Sequence, residues 1–373
     1  MDILEKLKNH KYLIFALFFA LLNMGAIFLI FGFQEYGDSP EYIGLIHWFQ
    51  GDETGLSLRR LVTPLGPLLA LPFEPLARGS GLIVQNIFFY LLCTFLIFKI
   101  TELIYQNQRQ AMLASIFFVV SVQVLSNGIS YLTDAGGWFF YLLSIFLTLL
   151  YFKSKNKRLI PANGFLAGLG FLMKESGGLG ALFFGSMILL SRNLVVKEKI
   201  IKILYFGIFF LAPILIWQAW TFKYFHFTAF HNYLIGRAGT EGEGLILSSF
   251  RYIGQLFIVI GILWPFVFIG LWRELKEKNW ERMKIFLALI PSSFVFLFWS
   301  TWAGARTVFY FAPLGIILAT YGLDFFWQKL GEKKGILMIS LLILFILVFN
   351  YYFVLINTNI AFVDKIAQFL GIL

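Results

Sequence analysis

Tyr12-Leu-Ile-Phe-Ala-Leu-Phe-Phe-Ala-Leu-Leu-Asn-Met-Gly-Ala-Ile-Phe-Leu-Ile-Phe-Gly-Phe33 runs without a charge and is followed at once by Gln34-Glu35-Tyr36-Gly37-Asp38-Ser39-Pro40-Glu41-Tyr42. A helix needs about 20 apolar residues to cross the ~30 Å hydrocarbon core of a bilayer, so the first part predicts a membrane span. It is too long for the apolar region of a signal peptide and no small-residue cleavage site follows it, which predicts a retained anchor. The second part places three carboxylates just beyond the span, where they can bind a cation or take a proton. The same Gly-Asp-Ser-Pro run is also turn and helix-start chemistry, with Asp38 or Ser39 as the cap of a helix through Ile43, Ile46 and Trp48.

The pattern of that first span repeats. Further stretches of spanning length fall at 81–105, 135–152, 200–219, 251–272, 307–327 and 336–356, with shorter ones at 111–125 and 285–300. Residues 159–190 form two short apolar runs around Lys174 and Glu175, which predicts a pair that crosses or re-enters with its tip near the outer surface. The expected fold is an all-α bundle of about ten or eleven transmembrane helices. It is a single integral membrane domain, with a module over 1–200 and further carboxyl-terminal helices over 200–373. Composition agrees, since a chain that is 59% hydrophobic and 13% charged, with 46 phenylalanines, exceeds what a soluble surface can hide.

The formal charge of +10 reads as topology and not as a nucleic-acid surface, because the basic residues cluster between apolar runs. The proposed inner segments hold most of the 30 Lys and Arg residues. The outer side keeps Arg59, Arg60, Arg78, Lys174, Lys223, Arg237, Arg251, Arg306 and Lys365. This predicts a cytoplasmic amino terminus and two long outer loops, 34–80 and 220–250, where function should be sought. The lone Cys93 lies inside an apolar run and supports neither a disulfide framework nor a metal site.

Several outer residues could carry chemistry. The stretch Glu41 to Phe49 has the mixed character of a helix lying on the membrane surface, with His47 at the interface. Arg59 and Arg60 break the charge bias, and an arginine fork matches a phosphate; contact with lipid headgroups is the plainer reading. Thr133 or Asp134 is placed to cap the span that follows. Lys174 and Glu175, between two apolar half-spans, are costly unless paired, hydrated or used. The loop 220–250 adds His226, His231, Arg237, Glu241 and Glu243 around a Gly-rich stretch, but His-x4-His without a firm third ligand is a weak zinc signal. Arg306 stands at the outer start of a later span.

In this order, Gly37-Asp38-Ser39-Pro40-Glu41-Tyr42, Pro64-Leu-Gly-Pro67, Leu132-Thr133-Asp134, Gly168-Leu-Gly-Phe-Leu-Met-Lys174-Glu175 and Arg306-Thr-Val-Phe-Tyr-Phe-Ala-Pro313 resemble the GT-C glycosyltransferases. The likeness is closest to the bacterial branch similar to protein O-mannosyltransferases and aminoarabinose transferases, and covers most of residues 1–325. It implies transfer of a sugar from a polyprenyl-phosphate carrier to a lipid, glycan or protein acceptor on the outer face, usually with inversion, and no nucleic-acid partner. Asp38 matches the family's general base best. The family often has an adjacent acidic pair there, however, whereas Asp38 stands apart from Glu35 and Glu41, which leaves all three open. Arg59, Arg60, Lys174 and Arg306 would hold the lipid phosphate, with Glu175 orienting Lys174 or touching the sugar. Glu41, Tyr42, Asp134 and His231 are expected to contact acceptor or sugar. The residues identify no particular cofactor, and a divalent metal stays open, since metal-dependent and metal-independent sites both occur in the family. A transporter or lipid-carrier flippase is the rival reading; it predicts charges along a path through the bilayer and, commonly, an internal repeat.

Overall fold

Backbone inside a bilayer has no water to bond, so every buried N–H and C=O must be satisfied within a helix or by a neighbour. The structure, a computed structural model, describes residues 10–32, 35–77, 80–231, 245–295 and 308–359, and among these it contains helices and no strand. Among the described residues seven stretches are long and apolar enough to span a membrane: Lys11–Phe31, Gly81–Tyr105, Asp134–Ser154, Val196–Phe225, Tyr252–Glu277, Phe309–Leu330 and Glu332–Val354. Leu159–Met173 and Glu175–Leu189 form shorter apolar helices. The helices used below are α1 (Lys11–Phe31), α2 (Ser39–Phe49), α3 (Gly81–Tyr105), α4 (Gln108–Val119), α5 (Asp134–Ser154), α6 (Leu159–Met173), α7 (Gly180–Leu190), α8 (Val196–Phe225), α9 (Leu245–Ile260), α10 (Trp264–Glu277), α11 (Trp280–Phe294), α12 (Ala312–Leu330) and α13 (Glu332–Asn359).

The core is built around α12, whose most apolar window is 89% buried, against 11% for α13 at the rim. α10 and α4 pack beside it, α3 packs on α4 and α5 on α3, while α1, α8 and α13 turn Leu29, Ile216 and Leu337 outward. With lipid as solvent such exposure costs nothing, and helix association depends on close packing and polar contacts instead. On α6 a Cβ at Gly164 would lie 2.5 Å from the Phe206 carbonyl oxygen and one at Gly168 2.3 Å from that of Phe210, so this pair of glycines lets α6 and α8 touch backbone to backbone.

The apolar run 111–125 is not one helix. It stops at Val119, resumes as a short helix Val122–Asn127, and leaves the carbonyls of Val119 and Val120 without helical partners. Asn23 of α1 donates to Val119 O at 3.0 Å and Asn350 of α13 to Val120 O at 2.7 Å. Asn23 also donates to the Tyr90 hydroxyl at 3.2 Å and accepts from that of Tyr351 at 2.9 Å.

The segment between α1 and α3 folds as α2 followed by short helices Leu58–Leu61, Leu65–Ala70 and Glu74–Ala77, punctuated by Pro64, Pro67, Pro72 and Pro75. α2 buries Tyr42, Leu45 and Ile46, spaced as one helical face, and leaves His47 exposed, as a surface-lying helix should. The pair expected at 159–190 is a hairpin: α6 ends at Met173, Lys174 is extended, and the turn Glu175–Leu179 leads into α7. Its tip meets the amino-terminal end of α5, so the segment between α1 and α3, the start of α5 and the hairpin tip share one end of the bundle.

Candidate functional site

Asp38 occupies the residue before the first turn of α2, but its side chain makes no capping bond. Ser39 does not cap either; its Oγ accepts from the Tyr36 N–H at 2.9 Å. The Asp38 carboxylate instead faces Arg60, with Oδ1 2.8 Å from Nη2. Glu41, in the first turn of α2, takes the Nε of the same guanidinium at 2.7 Å. Nη1 donates to the Tyr42 hydroxyl at 3.2 Å, and the guanidinium carbon lies 4.6 Å from the centre of the Tyr42 ring. Arg60 is thus held on every side. Its neighbour Arg59 is exposed, as is Glu35.

Tyr42 carries the site inward. It is 3% exposed, and its hydroxyl also accepts from Thr133 Oγ1 at 3.2 Å. Burial pushes its phenol up to about 12; Arg60 and Thr133 oppose this, and the charges of Glu175 and Asp134 add to it. The Tyr42 hydroxyl oxygen is engaged beneath the loop and supports Arg60.

Thr133 precedes α5 without capping it, and Asp134 opens the helix at 1% exposure. Asp134 forms an ion pair with Lys174 at the hairpin tip. A carboxylate in a first helical turn is favoured by the helix dipole, and the ammonium supplies the charge that burial requires. Glu175 begins the turn and is partly exposed. Arg306 lies outside the described residues, as does the Gly-rich stretch with Arg237, Glu241 and Glu243. His231 bonds through Nδ1 with the Thr228 hydroxyl at 2.9 Å, on a turn whose Ala229 N–H donates to Gln218 of α8 at 2.6 Å.

The supports are residues that sequence patterns did not single out. Asn86 of α3 donates to Ser130 O at 2.7 Å and Leu132 O at 2.6 Å, fixing the approach to Thr133. A Cβ at Gly66 would lie 2.3 Å from Thr133 Cγ2, so the proline-rich run sits hard against that residue. Trp217 of α8 donates to Leu61 O at 2.7 Å, just after Arg60. Ser176 bonds the Tyr310 hydroxyl at 2.7 Å, tying the hairpin tip to the turn before α12. An amide inside an apolar helix, as at Asn86, was the available signal.

Two acid–base clusters therefore stand at one end of the bundle, joined through Tyr42 and Thr133. Among the described residues no three His, Cys, Asp or Glu side chains converge as metal ligands, and Asp38 and Glu41 both point at Arg60. Among the described residues this donor set does not fit a resident metal.

A family model described as dolichyl-phosphate-mannose-protein mannosyltransferase matches residues 77–217, a stretch that includes Asp134, Lys174 and Glu175. A search of curated proteins finds no match. Among solved structures, the oligosaccharyltransferase of Archaeoglobus fulgidus in its apo form aligns with a TM-score of 0.62 at 13% identity, over 95% of this chain and 56% of that one. The same enzyme in complex with Zn and sulfate gives 0.51 at 14% identity, over 79% and 44%. At such identity the likeness is one of fold, and this chain spans about half the length of the archaeal enzyme. Residues 77–217 are thus similar to the dolichyl-phosphate-mannose-protein mannosyltransferase family, and the helical architecture is similar to that of the archaeal oligosaccharyltransferase.

Proposed function

We propose that the protein transfers a sugar from a polyprenyl-phosphate carrier to a hydroxyl of a lipid, glycan or protein acceptor at the outer face of the membrane, with inversion. The observation that carries the reading is the gathering of Asp38, Arg60, Asp134 and Lys174 at one end of the bundle, where a lipid's phosphate and a water-borne acceptor can meet. Asp38, with its side chain 27% exposed at the mouth, is the general base. The acceptor oxygen bonds to the anomeric carbon as its proton passes to the Asp38 carboxylate. The carbon–oxygen bond to the carrier breaks, and its electron pair stays on the phosphate. Positioned general-base help of this kind contributes about 10²–10⁴-fold. Arg60 and Lys174 stabilise the charge that grows on the departing phosphate, and a contact of this type is worth about 2.7–4 kcal/mol.

The test is transfer from radiolabelled polyprenyl-phosphate sugars by the purified protein in detergent, with a crude envelope acceptor, comparing wild type with Asp38→Asn. Transfer that collapses in the variant while carrier binding survives supports the reading. Movement of carrier across liposomes without transfer would favour the flippase and sink it.

A further inference from the structure

The Asp38–Arg60 contact holds a consequence for the order of binding. A guanidinium offers two forks to a bidentate anion, one made of Nε and Nη2 and the other of Nη1 and Nη2, so Nη2 belongs to both. On Arg60 that shared nitrogen is the one covered by Asp38, at 2.8 Å. It is buried, and although the ion contact is close, no acceptor is aligned with it as a hydrogen bond. Glu41 on Nε and Tyr42 on Nη1 make aligned bonds, and the Tyr42 ring lies against the guanidinium, so Arg60 is pinned and cannot swing to meet a ligand. A phosphate can grip Arg60 with two oxygens only by displacing Asp38.

Charge and burial make Asp38 the partner to leave. One guanidinium faces two carboxylates, Asp38 at 2.8 Å and Glu41 at 2.7 Å, which share its charge. Lys174 is bound to Asp134, which is 1% exposed, and breaking a buried pair is costly, whereas the Asp38 side chain is 27% exposed and already meets water.

We infer that the donor's phosphate and Asp38 compete for Arg60, so that carrier binding releases the carboxylate as a base and the donor must bind before the acceptor is activated. This rests on the reading of Arg60 as a donor-phosphate anchor. In the empty site the base is held neutralised by the cation. A bound phosphate takes that cation, leaves Asp38 ionised beside the anomeric carbon, and raises its proton affinity. A site without donor therefore deprotonates nothing.

The experiment is equilibrium binding of farnesyl phosphate and, separately, of inorganic phosphate to the full-length protein in detergent. Wild type is compared with Asp38→Asn, Asp38→Ser and the double variant Asp38→Asn with Arg60→Met, each checked for an unchanged melting temperature. Removing the competing carboxylate is expected to tighten farnesyl phosphate about tenfold in both single variants, the size of one charge-assisted contact that need no longer be broken, and the double variant is expected to lose the gain. Equal or weaker binding by both single variants overturns the exchange, as does tightening seen with inorganic phosphate alone. The transfer assay separates this from the catalytic reading. Lost transfer with unchanged affinity would leave Asp38 as base and discard the exchange, and tightened binding with transfer intact would do the opposite.

Discussion

Tyr42 and Thr133 stand 91 positions apart in the chain and share a hydrogen bond of 3.2 Å. One belongs to the surface helix that carries Asp38 and Glu41, the other to the turn that presents Asp134. This contact makes one site of two ion-pair clusters, because the Tyr42 hydroxyl also receives Arg60. Replacing Tyr42 by Phe keeps the ring against the guanidinium and removes only the acceptor. Two hydrogen bonds to one hydroxyl are worth about 1–3 kcal/mol in total, so transfer by Tyr42→Phe is expected to fall roughly tenfold to a hundredfold. The loss should appear in kcat, with KM for acceptor little changed. A variant with wild-type kcat would remove Tyr42 from the site's support.

The same phenol sets an alkaline limit. Burial raises its proton affinity from the ordinary 10.0 to about 12, so between those values the unfolded chain has released a proton that the folded chain still holds. Stability is therefore unaffected below pH 10 and declines as pH rises towards 12. Tyr42→Phe carries no such group. Relative to its own stability at pH 8, the variant should lose less than wild type between pH 10 and 12, read from melting temperature in detergent. Parallel curves would contradict the assignment.

Spans were legible because a bilayer imposes length and apolarity together, and the runs at 12–33, 81–105 and 336–356 became helices within a few residues of their expected ends. Helix α8 extends further than its apolar run 200–219. Hydropathy stops at Lys197, Lys199 and Lys202, whereas backbone hydrogen bonding continues through them. The site was legible only as charges in unlikely places. Lys174 drew attention with its neighbour Glu175, yet the ion pair found is with Asp134, forty residues away. Adjacent side chains on an extended residue diverge, and a tertiary partner cannot be read from adjacency. Tyr42 carried a signal only through the Gly37–Tyr42 motif, as an acceptor or sugar contact; its bond to Arg60 had none, since an aromatic residue in an interfacial helix is the ordinary case.

The two members of the Asp134–Lys174 pair are unequal. Asp134 is buried, while the Lys174 side chain keeps 15% of its exposure. Lys174→Met removes the ammonium beside a buried carboxylate, and breaking a buried pair in this way typically costs about 3–5 kcal/mol. Asp134→Asn leaves an ammonium that still reaches water and should cost less. The double variant is expected to regain much of what Lys174→Met loses. Denaturation in mixed micelles measures the order, and a Lys174→Met protein as stable as Asp134→Asn would contradict it.

The polar contacts around Asn23 test how the bundle holds together away from the site. Its amide satisfies the Val119 carbonyl, freed where α4 ends, and its oxygen receives the Tyr351 hydroxyl. Asn23→Leu orphans a backbone carbonyl that has no water to turn to, and a buried unsatisfied group costs about 1–3 kcal/mol. Tyr351→Phe removes a single side-chain bond between helices, a change that averages about 0.6 kcal/mol in membrane proteins because the separated helices find other partners. The first variant is therefore expected to melt at a clearly lower temperature than the second. Equal losses would mean that the carbonyl at the α4 break finds a substitute donor, and that Asn23 acts only as one more interhelical hydrogen bond.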